Sequence, residues 1–598
     1  MTTEITVLTF NLWGIFNSKH RAARMAHFAS KVERYDVILL QELFSETDFE
    51  LILRSLPPRV RASRFFRRFP SAYYGSGIAV ISRFPIKSVL FHAFPLQGYP
   101  ERVLHGDYYA NKGAALVRIS VPCMEPTEAD GGQSGETGVV CKDVLLYSTH
   151  LVAAYEKTAR LLNWRDELYL SVRLSQALSF ADFITSTSCP TDHVVIGGDF
   201  NATQRSLEVQ TMLILLQKRG YKLRSVLPSS NIYQACDDER KRAANAATLT
   251  FSDANIFTSP KAGWLVEGGD VPCQIDHIFF SSNTLRLCAY DDCPDAAQDY
   301  PFVMENDGVE SPAGVVVFTR NDEVSLPPGR STMARVADWL RAKGEAMNCR
   351  TMVTAACWLT PEARPRAYTA EFCPLSDHYG VVARLRLSAP AAGTTASEGD
   401  DTAGEVTLAR ADEEVLHEAL EFLDASVKQL QYERTVCVRM ATVSAVLVAG
   451  NILFLWYQAW RQEQHTARVL EQLFTVATLE GTSTRTAAPP ANEVKNVVMH
   501  WARKAKFWSP GAAPQAAASP ATPAAGAPMN APGAVPVNFA EVAAKIHDGG
   551  IWPMITHFFT ICGSLLSVGS LAIGLLQRDG NAKIMAEQVS ELRQVCSR

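Results

Sequence analysis

Three features of this sequence predict a mixed α/β fold followed by a pair of membrane-crossing helices. Short apolar runs bounded by Gly, Pro, Asn or Asp recur over the first 388 residues, helical stretches lie between them, and two long uncharged segments stand near the C-terminus. Such runs read as buried strands, and their alternation with helices places helices over sheets around one core. A chain of 598 residues with 47% hydrophobic and 20% charged residues excludes collagen, disorder throughout and a disulfide-stapled miniprotein. Its 57 Lys+Arg against 62 Asp+Glu give a net charge of -5, so the chain lacks the general basic surface that nucleic-acid phosphates require. The 13 cysteines are scattered with no CxxC pair; the closest, Cys288 and Cys293, suit neither a zinc knuckle nor a disulfide framework, which predicts a reducing compartment.

The runs that read as strands are, in order, ITVLTF, DVILLQE, SGIAVISRFPI, KDVLLYSTHLV, DHVVIGGDFN, QIDHIFFSS and DHYGVVARLRL. The clearest helix is predicted over Tyr155–Thr185, with Leu161, Leu162, Leu168, Leu170, Val172, Leu174 and Leu178 as apolar positions. Met124–Gly138 reads as a polar surface loop, and residues 283–370 as a long insertion without regular strand spacing. The first residues have no basic segment leading into an apolar run, which predicts no secretory leader.

Beyond the 1–388 domain the sequence predicts a flexible linker at 389–412, whose first part is small and polar. Residues 413–461 hold an amphipathic helix, Glu413–Tyr432, and an uncharged run, Met440–Trp460. At helical rise that run covers a hydrocarbon core of about 30 Å. A connector follows at 462–550, Ala/Pro-rich over Ser509–Asn538; then a second span at 551–577, with its uncharged run at Ile551–Leu576; then a tail at 578–598. Lys428, Arg434 and Arg439 precede the first span, and Arg578, Lys583, Arg593 and Arg598 follow the second. Near the spans the connector carries only Arg461, Arg468 and Lys545. That asymmetry predicts a cytosolic N-terminal domain and tail; the endoplasmic reticulum or another endomembrane is the expected location, although the sequence does not name the organelle.

Polar residues concentrate at strand ends. Asn11 in TFNLWG and Glu42 in LLQELF offer an amide oxygen and a carboxylate, donors that suit a hard cation such as Mg2+ or Mn2+. Singly, each is an ordinary turn or surface residue. His150 ends VLLYSTH, where a core histidine is the plain alternative. In GGDFNAT, Asp199 and Asn201 lie two apart, so in extended geometry both face the same way; an Asx turn is the alternative. Asp276 in QIDHIFF and Asp377 beside His378 in LSDHYGVV each supply a carboxylate able to fix a histidine tautomer, as a general base requires.

Taken in order, NLW, QE, STHL, GGDFN, QIDH and SDH resemble the endonuclease/exonuclease/phosphatase superfamily of DNase I-like metal-dependent phosphodiesterases, over roughly residues 4–388. The resemblance implies a four-layer α/β sandwich of two packed sheets with outer helices. It implies that Glu42, Asn11 and Asp377 form or adjoin the metal site and that His150, Asp199 and Asn201 surround the scissile phosphate. His378 would be the catalytic histidine, oriented by Asp276. Within that superfamily LHGDYYANKGAALVRI, with Asp107 and Lys112 five apart, resembles the Asp–Lys pair of the neutral sphingomyelinase and inositol phosphosphingolipid phospholipase C branch. RFPI, STHLVAAYE, Arg173-Leu-Ser-Gln176 and the two C-terminal spans add to it. The branch implies Mg2+-dependent hydrolysis of a phosphosphingolipid at a bilayer, activation by anionic phospholipids, and no nucleic-acid partner. Asp107 and Lys112 would then act at the substrate as a switch in a mobile gating loop; a solvated surface pair is the alternative. A membrane-tethered nuclease or phosphatase of the same fold and a non-enzymatic scaffold are the rival readings, and the choice between choline and inositol headgroups stays open.

Overall fold

The computed structural model describes residues 4–15, 18, 21–71, 74–103, 105–126, 137–155, 164–227, 249–251, 273–288, 302–305, 316–317, 336, 340, 372–373, 375–387, 412–481 and 552–597. Its strands are, in chain order, Glu4–Asn11 (β1), Val37–Gln41 (β2), Phe65–Arg68 (β3), Ala79–Ser82 (β4), Ile86–Ala93 (β5), Gly113–Pro126 (β6), Thr137–His150 (β7), His193–Asp199 (β8), Leu223–Ser225 (β9) and Asp276–Ser281 (β10). Leu285–Leu287 (β11), Phe302–Glu305 (β12), Val316–Val317 (β13), Phe372–Cys373 (β14) and Gly380–Leu387 (β15) complete the described set. One sheet runs β11-β15-β1-β2-β4-β3, with β12 also on β15; a second runs β5-β6-β7-β8-β10-β9.

The two sheets face each other. Val7, Leu39 and Val80 of the first pack with Val117, Leu146, Val195 and Ile278 of the second. Strand alternation sends the intervening residues outward. Leu8, Phe10, Ile38 and Leu40 meet Met25 and Phe28 of helix Arg21–Phe28 and Ile52 of helix Glu46–Ser55. On the far side Leu145, Tyr147, Val194, Ile196 and Phe279 meet Phe180 and Ile184 of helix Leu170–Thr187 and Met212 and Leu216 of helix Leu207–Lys218. Apolar residues on both faces of the central strands give the continuous runs seen in the sequence, and the result is the expected four-layer sandwich. Each such side chain, once fully buried, contributes about 1.5–3 kcal/mol.

Several elements differ from expectation. The predicted helix over Tyr155–Thr185 begins only at Leu170, just after the Glu167 carboxylate accepts the Tyr169 N–H; Leu161 and Leu162 lie outside the described residues. The expected 283–370 insertion contributes β11 and β12 to the first sheet, each antiparallel to β15. The rest of that insertion, the heart of the 124–138 loop, the 389–405 stretch and the Ala/Pro segment lie outside the described residues.

The chain falls into two compact units. In one, Met1–Arg434 and Leu575–Arg598 belong together. Val415, Leu416, Ala419, Leu423 and Val427 pack with Ala582, Met585, Val589 and Leu592 of helix Asp579–Cys596 against Val172, Leu178 and Ile214. The tail helix was not expected, although its apolar residues recur at helical spacing. The other unit, Thr435–Gly574, contains the apolar parts of helices Asp412–Gly481 and Trp552–Ala572. Both are long and apolar enough to cross a membrane by length and composition, with mean hydropathy 1.8 and 1.9 over their most apolar stretches. They pair antiparallel through small and polar residues: Ser444 Oγ donates to the Gly563 carbonyl, Ser567 Oγ to that of Ala441, and Asn451 Nδ2 to Thr560 Oγ1 and the Thr556 carbonyl. Such bonds are the usual adhesive between apolar helices where water is absent.

One buried histidine makes the fold acid-sensitive. His277 on β10 is 0% exposed, shares a hydrogen bond with the Ala202 carbonyl at 2.9 Å, and is held down to about 4 by burial. The unfolded histidine titrates near ~6.5, so below that pH the unfolded chain takes up a proton that the fold refuses, and stability falls from about 6.5 down toward 4. His277→Gln keeps a donor without the charge. Urea unfolding at pH 7 and pH 4.5 should show the variant losing less stability than the wild type by about 2 kcal/mol. Equal losses would exclude His277 as the cause.

Candidate active site

Strand register gathers the polar residues at one end of the sandwich. β7 and β8 run parallel with His150 beside Asp199, and β10 runs antiparallel to β8 with Asp276 beside Asp199. In the facing sheet β1 and β2 run parallel, with Asn11 beside Gln41 and Glu42 immediately beyond. The chain turns sharply here. Glu42 and Asn201 have φ of 57° and 48°, and Trp13 and Asn111 each 49°. Non-glycine residues rarely adopt this left-handed region, and such strain persists where surrounding structure over-determines it, commonly at functional sites. Two glycines permit the close packing. A Cβ on Gly14 would lie 2.0 Å from the Glu42 carbonyl oxygen, and one on Gly198, itself at φ 151°, 2.0 Å from that of Thr149.

His378, just before β15, meets Asp276 in a 2.9 Å hydrogen bond from Nδ1 to Oδ2. The carboxylate as acceptor places the ring proton on Nδ1 and leaves Nε2 to take one, 4.0 Å from Asp199 Oδ2. Burial disfavours the imidazolium, but the carboxylates of Asp276, Asp377 and Asp199 outweigh it and hold His378 well above the usual range. Asp276 is therefore the tautomer-fixing carboxylate left open between it and Asp377 in the sequence; Asp377 Oδ1 lies 4.0 Å from Nε2 instead.

Asp107 and Lys112 are not a solvated pair: their side chains are 11% and 2% exposed, with Lys112 Nζ 2.9 Å from Asp107 Oδ1. An ammonium has three N–H donors. The other two reach His150 Nε2 at 2.9 Å and the Leu151 carbonyl at 2.8 Å. Since ammonium cannot accept, His150 must present a lone pair at Nε2. Burial and the Lys112 charge agree, holding His150 well below its usual pKa. The same Nε2 stands 3.5 Å from Asp199 Oδ2 and 4.0 Å from Glu42 Oε1, so Lys112, His150, Asp199 and Glu42 form one contiguous group.

Of the two readings of Asp199 and Asn201, the structure takes the Asx turn and not the extended pair. Asp199 Oδ1 accepts the Asn201 N–H at 2.8 Å, the Asx turn, because the left-handed Asn201 leaves the strand. Asn201 Nδ2 donates instead to the Leu151 carbonyl at 2.9 Å. Asn11 Nδ2 donates to Asp199 Oδ2 at 2.9 Å while its Oδ1 accepts the Trp13 N–H at 2.9 Å. The backbone donor fixes which end of that amide faces Asp199, so Asn11 orients Asp199 and has one remaining lone pair for a cation.

Glu42 is the strongest indication of a cation. Its Oε2 is buried without a hydrogen-bond partner among the described residues, and burial followed by the nearby Asp377 carboxylate pushes the Glu42 carboxyl up to about 8. Two buried carboxylates that raise each other's cost are stabilised by a shared positive charge, and an all-oxygen donor set suits Mg2+ or Mn2+ rather than zinc. Bound there, such an ion would offset the negative charge of both carboxylates. Asp199, Asp276 and His378 also bring ligand-type atoms within 4.8 Å of one another. That trio too could hold a metal ion, since a histidine whose Nδ1 donates to a carboxylate still offers Nε2.

Two supporting residues were not singled out in the sequence. Arg24, 1% exposed, donates to the carbonyls of Leu12, Trp13 and Leu375, joining the β1 turn to the segment that carries His378. Ser376 Oγ donates to the Asn11 carbonyl at 2.5 Å and accepts the His378 N–H at 3.2 Å. Ser376 stands inside the LSDH motif and was legible there; nothing separates Arg24 from the neighbouring Arg21.

The sequence pattern of the Endonuclease/Exonuclease/phosphatase family matches residues 8–344. Among curated proteins the chain is 29% identical over 279 residues to a putative neutral sphingomyelinase of Drosophila melanogaster, covering 46% of this chain and 52% of that protein. It is 34% identical over 201 residues to human sphingomyelin phosphodiesterase 2, covering 33% and 41%. The same identity, length and coverages hold for the inositol phosphosphingolipids phospholipase C of Schizosaccharomyces pombe. The chain thus spans about half the length, or less, of the curated relatives it matches.

The cation fit has a readout independent of turnover. In EDTA at pH 8, Glu42→Gln should melt at or above the wild-type temperature, because it removes an uncompensated buried charge. Millimolar Mg2+ should raise the wild-type Tm and leave the variant unmoved, since a ligand stabilises only the state that binds it. An equal Mg2+ shift in both proteins would place the ion elsewhere.

Proposed function

The chain belongs to the endonuclease/exonuclease/phosphatase family, and from that premise we propose that it hydrolyses phosphosphingolipids in the manner of a phospholipase C, releasing ceramide and a phosphorylated headgroup. The observation that carries the chemistry is the His378–Asp276 pair, whose Nε2 stands beside Asp199 and the Lys112–His150 group. The names of the relatives carry the substrate class, because sphingomyelin and inositol phosphosphingolipids share a phosphodiester on ceramide.

In this reading the neutral form of His378, which the surrounding carboxylates disfavour, takes a proton at Nε2 from water as the water oxygen bonds to phosphorus, and Asp276 compensates the imidazolium that forms. The phosphorus–oxygen bond to ceramide breaks, and the ceramide oxygen leaves with a proton returned from the site. Asp199, held by Asn11, lies close enough to orient the attacking water or pass a proton. Lys112 brings a buried positive charge to the phosphate region. While it occupies His150 Nε2 that nitrogen cannot donate to a phosphate oxygen, so a switch at Asp107–Lys112 would act by releasing His150 Nε2. Asn201 completes the polar surround. The hydrophobic helices support an anchoring role that holds the cleft at a cytosolic membrane face, where anionic phospholipid is available and lipid capture becomes effectively intramolecular.

Assays of the full chain with Mg2+ on sphingomyelin, inositol phosphosphingolipid, a soluble inositol phosphate and DNA test the reading. Ceramide should appear from one or both lipids, and His378→Ala should lower its rate by about 10²–10⁴-fold. Lys112→Met should also slow it strongly, with metal-induced stabilisation retained. Turnover of DNA or inositol phosphate without ceramide release would move the chain to another branch of the family.

A further inference from the structure

The Arg173-Leu-Ser-Gln176 segment takes no part in the proton transfer or the cation site described above. Arg173 and Gln176 stand three apart on helix Leu170–Thr187, so they share a face, and they are 5% and 0% exposed. Arg173 is neutralised between two buried acids, with Nε 2.9 Å from Glu208 Oε1 and Nη2 2.5 Å from Glu167 Oε2. That fixes the rotation of the helix and aims Gln176 at the site. Gln176 Oε1 accepts the Val152 N–H at 2.9 Å, and Nε2 donates to the Leu96 carbonyl at 2.8 Å.

The segment it grips follows His150 and belongs to no sheet, so its backbone groups need partners elsewhere. The Leu151 N–H donates to the Asp199 carbonyl at 3.0 Å, and the Leu151 carbonyl accepts from both Lys112 and Asn201. The Ala153 N–H donates to Asp107 Oδ2 at 2.7 Å. The Val152 N–H, between them, goes to Gln176. Three consecutive residues therefore hold Asp199, Lys112, Asn201 and Asp107, and the Gln176 carboxamide ties them to Leu96, the start of the loop that carries Asp107.

We infer that Gln176 is a positioning residue for the hydrolysis: its carboxamide sets the register of the Leu151–Ala153 strip and thereby the placement of Lys112 and Asn201. The inference rests on the functional reading above. It gives a role to a side chain that touches no reacting atom. A misplacement of about 1 Å in such a constellation costs about 10²-fold in rate.

The test measures kcat and KM of the full chain on sphingomyelin in mixed micelles with Mg2+, together with Tm. Gln176→Leu removes both hydrogen bonds; kcat should fall about 10²-fold while KM stays within about threefold. A purely structural role would lower Tm and leave kcat per folded molecule unchanged. Gln176→Glu is the companion variant. Its protonated carboxyl reproduces one acceptor and one donor, whereas the ionised form loses the donor to Leu96. Its rate relative to wild type should therefore be highest at acid pH and decline as pH rises. Wild-type kcat in Gln176→Leu overturns the inference; if that variant does not fold, a Gln176→Glu ratio flat with pH overturns it. A wild-type chain that releases no ceramide overturns the functional reading, and the inference with it, a failure separate from equal rates in variant and wild type.

Discussion

The hydrogen bond from Asn11 Nδ2 to Asp199 Oδ2 joins the two halves of the molecule where the chemistry is proposed to occur. Asn11 ends a strand of one sheet and Asp199 a strand of the other, 188 residues apart in sequence. A buried polar contact of this kind is costly unless both partners are satisfied, and here both are. The Trp13 N–H fixes the Asn11 amide, and the Asn201 N–H takes the other oxygen of Asp199. From Asp199 the group extends to His150 and Lys112 on one side and to His378 and Asp276 on the other. The facing of the two sheets is thus what makes the site.

Charge in this cleft is largely withdrawn from solvent, with Glu42 and Asp377 partly exposed at its edge. Lys112 is balanced by Asp107 and His378 by Asp276, whereas Glu42 and Asp377 raise each other's cost. Backbone strain at Trp13, Glu42, Asn111 and Asn201 belongs to the same economy, since apolar packing in three layers offsets a few strained turns.

Much of this was legible in the sequence. Apolar runs ending in Asn11, Glu42, His150 and Asp199 gave both the strands and the candidate site, because a strand buried on both faces reads as continuous apolar residues and its polar end is conspicuous. Other features depended on tertiary context. Asn201 turns into an Asx conformation that extended-strand periodicity cannot foresee. The burial of Lys112 comes from the β6–β7 pairing and the strip after His150, neither of which is visible in the spacing of Asp107 and Lys112. Helix Leu170–Thr187 starts later than leucine periodicity suggests, after a 3-10 turn at Trp164–Asp166. Arg24 joins two loops about 350 residues apart and leaves no local trace.

The central claim is that water attacks phosphorus and ceramide leaves with its own oxygen. Turnover of sphingomyelin or inositol phosphosphingolipid by the full chain with Mg2+ in oxygen-18 water, followed by mass spectrometry of both products, tests it directly. The account predicts one heavy oxygen in the phosphorylated headgroup and none in ceramide. Heavy oxygen in ceramide, or in neither product, would contradict it.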